Sequence, residues 1–433
     1  MAGSFYLLKA KLEEVFESHP SNPYPRYHTT PDDHNPALPP LYEEWIQYER
    51  NLPQHFESLP EGNKSKFIFM ANHAHGVGWG NVLQEMFLNA YLAYSTNRTF
   101  VFDNYTWDRR DSDYSEFKGK TIPSRVPIST MIAGPMIGDP FETEMNASPA
   151  VSSEYFRSVC PEPRIIELKD YRPNWKDGLE IMDRWVNEIN SIDDPCIEFS
   201  RDSPPLFDLW LFFQNRILSL WPSLRSSPII TQFSFSPLIK SALVSNRHLF
   251  FPSSHYSFPW DWVDDIPGLM TVHIRRGDFL EFCRELEQVN SDFQGFNAFP
   301  EMLDKFNSSE PTERKWEEYR KHCLPSVDEM VHKINEGTPL KKIFVMSNAP
   351  KMWLQQLKET LQSSTGTDEK WEEIYTSRDL ILTREQKYVS QAVDMYIAEK
   401  SQTFVGNGFS SLSSNIMMLR MAKSIDPINS RLW

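Results

Sequence analysis

Segments with strand-type and helix-type patterns alternate through the second half of the chain, and this alternation narrows the possible folds more than any other feature. Apolar runs at Leu269 to Ile274 and Lys342 to Met346 are typical of buried strands. Residues 326–335 and 351–361 carry apolar positions at helical spacing. Strands joined through helices run parallel, so the pattern predicts a doubly wound parallel sheet of the α/β class.

The same alternation continues to the end of the sequence. Thr383 and Gln386 form a capping box, which predicts a helix that ends near Lys400. A strand, a glycine turn and a last helix are predicted at Thr403 to Val405, at Gly406 to Gly408 and from about Leu412.

The first half contains one clear βαβ unit. Its strands are predicted at Phe67 to Met70 and Thr99 to Phe102, and its helix at Val82 to Tyr94. A glycine-rich loop at residues 76–81 precedes the helix, and glycines there permit a ligand to approach the backbone at a helix N-terminus. Residues 105–260 are rich in aromatic residues and proline, with one predicted helix from Pro205 to Leu220.

Length and charge limit the organisation and the partners. A chain of 433 residues exceeds the size of most single cores, which predicts two domains. We expect an arm at residues 1–60, in which 1–20 resembles an amphipathic helix, then domains at 61–255 and 256–433, with the crossing within Pro252 to Pro267.

The formal charge of −15 argues against nucleic acid or an anionic membrane as partner. No apolar run approaches the roughly 18 residues that span a bilayer, so a soluble chain is expected.

The cysteines and the glycosylation patterns leave the compartment open. Cys160, Cys196, Cys283 and Cys323 have no C-x-x-C spacing and form either two disulfides or none. The acceptor pattern for N-glycosylation matters only in the secretory pathway, and it occurs at Asn63, Asn97, Asn104, Asn146 and Asn307.

Two arginines stand where the strand ending at Ile274 opens into a loop. Arginine binds phosphate oxygens in pairs, and ligands of open α/β sheets bind beyond the carboxyl ends of the strands. Arg275 and Arg276 are therefore candidate phosphate-binding residues. The alternative is a surface salt bridge with Asp278.

Two further features lie nearer the C-terminus. Ser410 and Ser411 follow a glycine turn at the start of a helix, where amides and hydroxyls bind anions, although such serines are also ordinary N-caps. Asp394 lies on the inward side of its helix, and a buried carboxylate needs a donor. That donor is either the paired N–H groups of a guanine base or an arginine.

Together these segments resemble the superfamily of protein O-fucosyltransferases, core α1,6-fucosyltransferases and a bacterial nodulation fucosyltransferase. The run His273 to Asp278 resembles the His-x-Arg-Arg-x-Asp motif. The resemblance implies that His273 lies near the nucleotide, that Arg275 holds the diphosphate as the catalytic residue, and that the motif also supplies Arg276 and Asp278 for substrate binding.

Two more segments complete the resemblance. Asp394 with the run Phe404 to Ser411 resembles the C-terminal motif, in which the aspartate contacts guanine and the serines contact phosphate. Gly80 and Asn81 resemble the Gly-Asn-Gln loop, although Val82 replaces the glutamine, and Gly78 is a further candidate for substrate binding. The sequence also has Ser347-Asn348 where an acidic residue is common.

The resemblance implies a GT-B-like fold of two Rossmann-like domains that face each other across a cleft. The domain at 256–433 would bind the donor and the domain at 61–255 the acceptor. The implied reaction is inverting, metal-independent transfer of fucose from GDP-fucose to a hydroxyl of a protein or glycan, with no cofactor. The family suggests the endoplasmic reticulum or Golgi.

The sequence near the motifs contains base candidates but no metal-binding pattern. No Asp-x-Asp cluster lies beside the motifs, so no metal site is predicted. His73, His75 and Glu85 flank the glycine loop and are candidate general bases by position, but none is assigned.

Two other functions compete with this interpretation. An NAD(P)-dependent oxidoreductase is favoured by Gly76-x-Gly78 and by Asp103 after the second strand. However, the glycines begin late, Asn81 occupies the third glycine position, and the double arginine would have no role. The second competitor is a non-catalytic relative that binds a sugar nucleotide or glycan.

Overall fold

The computed structural model describes residues 38–56, 65–142, 147–169, 176–251, 265–308, 315–336, 340–363 and 371–433. The predicted helix at residues 1–20 lies outside these ranges, as do residues 252–264 of the predicted domain crossing. No helix within the described ranges is long and apolar enough to cross a bilayer.

The described strands and helices are as follows. The strands are β1 (Phe67–Met70), β2 (Thr99–Phe102), β3 (Tyr105–Thr106), β4 (Tyr114–Phe117), β5 (Lys120–Pro123), β6 (Arg125–Val126), β7 (Ile132–Ala133), β8 (Val151–Ser152), β9 (Arg164–Ile166), β10 (Cys196–Phe199), β11 (Ser234–Phe235), β12 (Ile266–Ile274), β13 (Lys342–Ser347), β14 (Glu373–Thr376), β15 (Ser401–Gly406) and β16 (Ser430–Leu432). The helices are α1 (Glu43–Arg50), α2 (Trp79–Ser95), α3 (Ser153–Val159), α4 (Gly178–Asn190), α5 (Leu209–Phe212), α6 (Trp221–Leu224), α7 (Pro228–Thr231), α8 (Pro237–Ser245), α9 (Phe279–Gln288), α10 (Lys315–Cys323), α11 (Val327–Asn335), α12 (Lys351–Ser363), α13 (Arg384–Tyr388), α14 (Ser390–Lys400) and α15 (Ser411–Ala422).

The first half is built on a parallel sheet with the strand order β8-β2-β1-β10-β9. Strands β1 and β2 are connected by helix α2 and pair in parallel, so the predicted βαβ unit is confirmed. The helix begins at Trp79, three residues before the predicted start at Val82, and Gly78 is its N-cap. The glycine loop therefore leads directly into the first turn of α2.

The second half is built on another parallel sheet, with the order β14-β13-β12-β15-β16. Its central strand β12 is buried over most of its length and starts three residues earlier than predicted. Gly268, with φ of +77°, lies where the register against β15 shifts, and this irregularity interrupts the apolar pattern that identified the strand. The predicted α/β class with parallel sheets is confirmed.

Two predicted helices are interrupted. The single helix from Pro205 to Leu220 is wrong, because helix α5 ends at Phe212 and a 3₁₀ helix covers Asn215–Leu220. Between them Gln214 is extended, and its carbonyl accepts a hydrogen bond from the Gly295 amide at 3.3 Å. The capping box of Thr383 and Gln386 is present, but the helix is divided at Val389, whose side chain is buried.

Helix α1 connects the two halves within the predicted arm. Its N-cap, Tyr42, is buried and donates a hydrogen bond from Oη to the Glu385 carbonyl at 2.9 Å. Glu49 at its other end accepts hydrogen bonds from the amide and hydroxyl of Ser129.

Of the two alternatives for the cysteines, the structure has two disulfides, Cys160–Cys196 and Cys283–Cys323.

Candidate active site

Several polar side chains meet at the carboxyl edge of the second sheet. Arg275 follows β12, Asn348 follows β13, Ser377 follows β14, and Asn407 follows β15. Parallel strands end at a common edge, so residues far apart in the sequence become neighbours there. This edge holds most of the predicted donor-site residues.

The guanidinium of Arg275 has fewer partners than its donors require. Its Nη2 lies 3.4 Å from Asp278 Oδ2, and its Cζ lies 5.0 Å from the ring centroid of Phe279. Its Nε is buried and has no hydrogen-bond partner among the described residues. Burial lowers the pKa of Arg275, Asp278 opposes that shift, and the group remains a cation. A buried N–H without an acceptor is costly, which indicates a place for a ligand anion.

Arg276 points to other protein groups. Its Nη2 donates to the Pro325 carbonyl, and its Cζ lies 4.5 Å from the ring centroid of Trp353. Burial, reinforced by the charge of Arg320, lowers the pKa of Arg276 to about 10. The two adjacent arginines therefore differ, because Arg276 is held by the protein while Arg275 retains donor capacity.

Asn348 fixes the arginine loop, a role that the sequence analysis missed. Its Oδ1 accepts from the Arg276 amide at 2.9 Å, and its Nδ2 donates to the Arg276 carbonyl at 2.9 Å and to Asp278 Oδ1 at 3.1 Å. Its position directly after a predicted strand was the signal available in the sequence.

His273 is buried in β12 and is neutral at physiological pH. Its Nδ1 lies 2.8 Å from Ser413 Oγ, and the Asn407 amide donates to the same oxygen at 2.9 Å. Burial, together with the charge of Arg275, lowers the pKa of His273 to about 3. His273 therefore connects the arginine loop to the first turn of α15.

The first turns of α15 and α2 are in close contact. Ser410 is the N-cap of α15 but makes no side-chain capping bond, and Ser411 is the first helical residue. A Cβ placed on Gly80 would lie 2.7 Å from Ser411 Oγ and 2.8 Å from the Leu412 amide nitrogen. The Asn415 side chain donates to the Gly80 carbonyl at 2.8 Å. The structure thus brings together the predicted glycine loop and the predicted serine turn.

The other glycine-loop residues lie beside this contact. A Cβ on Gly78 would have no heavy atom within 4 Å, and the Asn81 amide donates to the Gly78 carbonyl at 2.9 Å. Gly76 has φ of +65°, a conformation that favours glycine.

Asp394 is bonded to a serine. Ser377 Oγ lies 2.9 and 2.8 Å from the two carboxyl oxygens, and no arginine contacts Asp394 in the part of the chain that the structure describes. The arginine alternative is therefore wrong for these residues. Burial raises the pKa of Asp394 to about 7, although the Ser377 bond acts in the opposite direction. One hydroxyl has a single proton, so the carboxylate can accept further N–H donors. Ser377 was missed because strand β14 was not predicted.

Two of the three base candidates, His73 and Glu85, lie in a cluster beneath the glycine loop. Glu85 Oε2 accepts from the Ala74 amide at 2.5 Å, and burial raises the pKa of Glu85 to about 7. His73 Nε2 lies 3.5 Å from Asp103 Oδ2. Glu85 and His73 both border a cavity of about 30 Å³, which is large enough for a water molecule. His75 is exposed and does not join the cluster. These contacts support the loop and do not single out a general base.

Metal-ligating side chains do not cluster in the described ranges, where no group of three or more His, Cys, Asp or Glu could hold an ion.

The carboxyl-terminal part of the sequence matches a known family. Residues 260–423 match the family model described as GDP-fucose protein O-fucosyltransferase. The chain is similar to GDP-fucose fucosyltransferases. The resemblance predicted from the motifs is confirmed, and the matched range contains the arginine loop, Asp394 and the serine turn of this fucosyltransferase-like chain.

Solved structures of fucosyltransferases also resemble the chain at low identity. A crystal structure of POFUT1 in complex with GDP-fucose is 14% identical with a TM-score of 0.49, covering 85% of this chain and 98% of that chain. Fucosyltransferase NodZ from Bradyrhizobium is 12% identical with a TM-score of 0.40, covering 82% and 93%. A search of curated proteins gave no match.

Proposed function

We propose that this protein is an inverting, metal-independent glycosyltransferase that transfers fucose from GDP-fucose to a hydroxyl of a protein or glycan acceptor. The supporting observation is Arg275, a cation at the end of the central strand whose buried Nε has no hydrogen-bond partner among the described residues, within the segment that matches the family. The proposed architecture is GT-B-like, with the donor on the domain at 256–433 and the acceptor on the domain at 61–255.

The proposed reaction is a displacement at the anomeric carbon of fucose. The acceptor oxygen forms a bond to that carbon on one face while the bond to the diphosphate oxygen breaks on the other, and GDP departs with the electron pair. Negative charge grows on the diphosphate, and Arg275, oriented by Asp278 and Phe279, stabilises it. Amides at the N-terminus of α15, near Ser410 and Ser411, add donors. The acceptor proton passes to solvent or to a base that is not assigned.

Selection of the nucleotide is assigned to Asp394. The N1–H and exocyclic N–H donors of guanine match the two oxygens of a carboxylate, and the Ser377 bond leaves acceptor capacity on both. His273, Arg276, Gly78, Gly80 and Asn81 complete the proposed donor site as residues that shape its walls.

The oxidoreductase alternative finds less support in the contacts. Asp103, which would bind a ribose, is occupied by Ser153 Oγ at 3.2 Å, by the Asn104 amide at 2.8 Å and by His73. A Cβ on Gly80 would lie against Ser411 and Leu412 of α15, so this side of the glycine loop packs on a helix and is not the open groove that a dinucleotide needs.

A donor screen tests the proposal. The purified chain is incubated with GDP-fucose, GDP-mannose, UDP-sugars and NAD(P)H, with and without folded Ser/Thr-containing domains and glycans, and nucleotide release is measured. We expect GDP release from GDP-fucose that persists in excess chelator, with inversion at the anomeric carbon by NMR. GDP-fucose binding without turnover on any acceptor would instead support a non-catalytic binder. Stabilisation by NAD or NADP but not by GDP would support the oxidoreductase.

A further inference from the structure

A hairpin from the first half of the chain reaches the arginine loop of the second half. Strands β4 and β5 are joined by the two-residue turn Lys118-Gly119, with φ of +51° and +73°. Two successive positive φ values are typical of the tight turns that fit the twist of a hairpin. This geometry places Lys118 at the tip.

The base of the hairpin is fixed to the glycine loop. The Trp107 amide donates to the Ser124 carbonyl at 2.8 Å, which ties the two sides of the hairpin together. The Gly76 amide donates to the Thr106 carbonyl at 3.1 Å, and Tyr105 Oη donates to the Val77 carbonyl at 3.0 Å. The rings of Trp107 and Phe117 meet edge to face at 4.6 Å. The hairpin is therefore bonded to the glycine loop at its base.

The tip brings a second cation to Arg275. Lys118 Nζ lies 2.8 Å from Asp278 Oδ2, the same oxygen that lies 3.4 Å from Arg275 Nη2. Two cations thus share one carboxylate oxygen, while Arg275 Nε has no acceptor among the described residues. The side chain of Lys118 is 53% exposed, so its ammonium can move without unpacking the core.

The two cations, Arg275 and Lys118, carry more positive charge than the single carboxylate of Asp278 can neutralise. A carboxylate has one negative charge, whereas a nucleoside diphosphate has several phosphate oxygens that accept charge-assisted hydrogen bonds. In a protein with a formal charge of −15, such an anion needs local cations, and here Lys118 and Arg275 supply them from two segments.

We propose that Lys118 is a donor-binding residue supplied by the first half of the chain. When a diphosphate binds beside Arg275, the Lys118 ammonium exchanges Asp278 for a phosphate oxygen, and the hairpin covers the donor. The inference rests on the proposed function, which identifies the anion as the diphosphate of GDP-fucose.

Binding of GDP and GMP to Lys118→Gln tests the inference. A single charge-assisted contact is expected to change GDP affinity about tenfold or more. We expect the GDP Kd, measured by calorimetry, to rise by about that factor, with a much smaller change for GMP, which lacks the second phosphate. The matched control is Lys120→Gln, because Lys120 is exposed on the same hairpin and should leave both affinities unchanged. Lys118→Arg should restore most of the GDP affinity.

The outcomes separate this inference from the proposed function. If wild type binds GDP and Lys118→Gln binds it equally well, Lys118 is no donor-binding residue and the proposed function is unaffected. An equal loss for GDP and GMP would assign Lys118 to holding the hairpin and would overturn the phosphate contact. Failure of wild type to bind GDP at all would overturn both proposals.

Discussion

Arg275 and Arg276 show how neighbouring residues of one type acquire different roles. The side chain of Arg276 is bonded to the Pro325 carbonyl and packed on Trp353, so its charge is used within the protein. The side chain of Arg275 is 32% exposed and has a weak contact to Asp278. Of the two arginines, Arg275 is therefore the one with the donor capacity that the proposed role at a departing diphosphate requires.

Replacement of Arg275 by alanine is expected to lower kcat/KM for GDP-fucose about 100-fold or more. The physical reason is the loss of a preorganised cation that stabilises transition-state charge. Arg275→Lys should recover little, because a point charge does not reproduce the paired donors. Initial rates of GDP release measure the effect.

A surface arginine provides the matched control for this prediction. Arg164→Gln removes an exposed pair with Asp194 and should leave both turnover and thermal unfolding unchanged. If Arg275→Ala keeps wild-type turnover with an intact fold, the catalytic assignment is wrong.

We expect the affinity for GDP to change with pH through the ionisation of Asp394. Burial raises the pKa of this carboxyl to about 7, so the free protein holds it mainly protonated below that pH. Guanine N–H donors require the ionised form, so binding releases a proton and affinity should increase from pH 6 to pH 8 by about tenfold. Calorimetry in buffers of different ionisation enthalpy measures both the affinity and the proton release.

Asp394→Asn separates this group from the titration of the phosphate itself. Affinity of the variant at pH 8 should be lower, and its remaining pH dependence should be that of the nucleotide alone. Identical pH profiles for wild type and variant would contradict a guanine contact at Asp394.

At the scale of elements, the contact between α2 and α15 depends on the missing side chain of Gly80. Alanine in a helix is normally favourable over glycine by about 0.5–1 kcal/mol. Here its Cβ would overlap Ser411 Oγ and the Leu412 amide nitrogen, and backbone cannot give way cheaply. Overpacking of this kind costs about 1–3 kcal/mol, so the steric cost exceeds the gain.

Gly80→Ala is therefore expected to lower stability by about 1–2 kcal/mol and to weaken GDP binding, because α15 must shift. Thermal and chaotrope unfolding, together with GDP calorimetry, measure the two effects. Gly78→Ser is the control for the stability measurement alone, since Gly78 has open space around its Cβ position and serine is a good N-cap. A Gly80→Ala protein as stable as wild type would mean that the two helices are not closely packed there.

At the scale of the whole molecule, the two disulfides support different regions. Cys283–Cys323 joins α9 to α10, and α9 starts next to the arginine loop with Asp278 as its N-cap. Cys160–Cys196 joins the end of α3 to the start of β10 in the first sheet. The two bridges close loops of similar length, with sequence separations of 40 and 36.

Removal of either bridge by paired alanine substitution should lower stability by a similar amount, about 3 kcal/mol. Only the Cys283→Ala/Cys323→Ala pair should also raise the GDP Kd, because it loosens the support of the arginine loop. Unfolding midpoints and GDP calorimetry of the two double variants test this difference. An equal effect on GDP affinity from the Cys160→Ala/Cys196→Ala pair would contradict the assignment.

The elements that the sequence determined are those with a strong local pattern. Strands β1, β2, β12 and β13 were recognisable because a fully buried strand is apolar along its length. The residues that follow those strands, including Arg275, were correctly expected at a sheet edge because parallel strands leave their loops there. The interruption at Gln214 and the strand β14 were not predictable, because each depends on hydrogen bonds to distant segments.

The partners of the site residues were decided by tertiary structure alone. Asn348 against the arginine loop, Ser377 against Asp394, and Lys118 against Asp278 join positions 17 to 160 residues apart. A sequence records which side chains are available and which face of an element they occupy, because those depend on neighbours along the chain. Which donors converge on one oxygen, and which donor is left without a partner, depends on how the two sheets and the hairpin pack, since hydrogen bonds form only over a few ångströms and the attraction between charges weakens with distance.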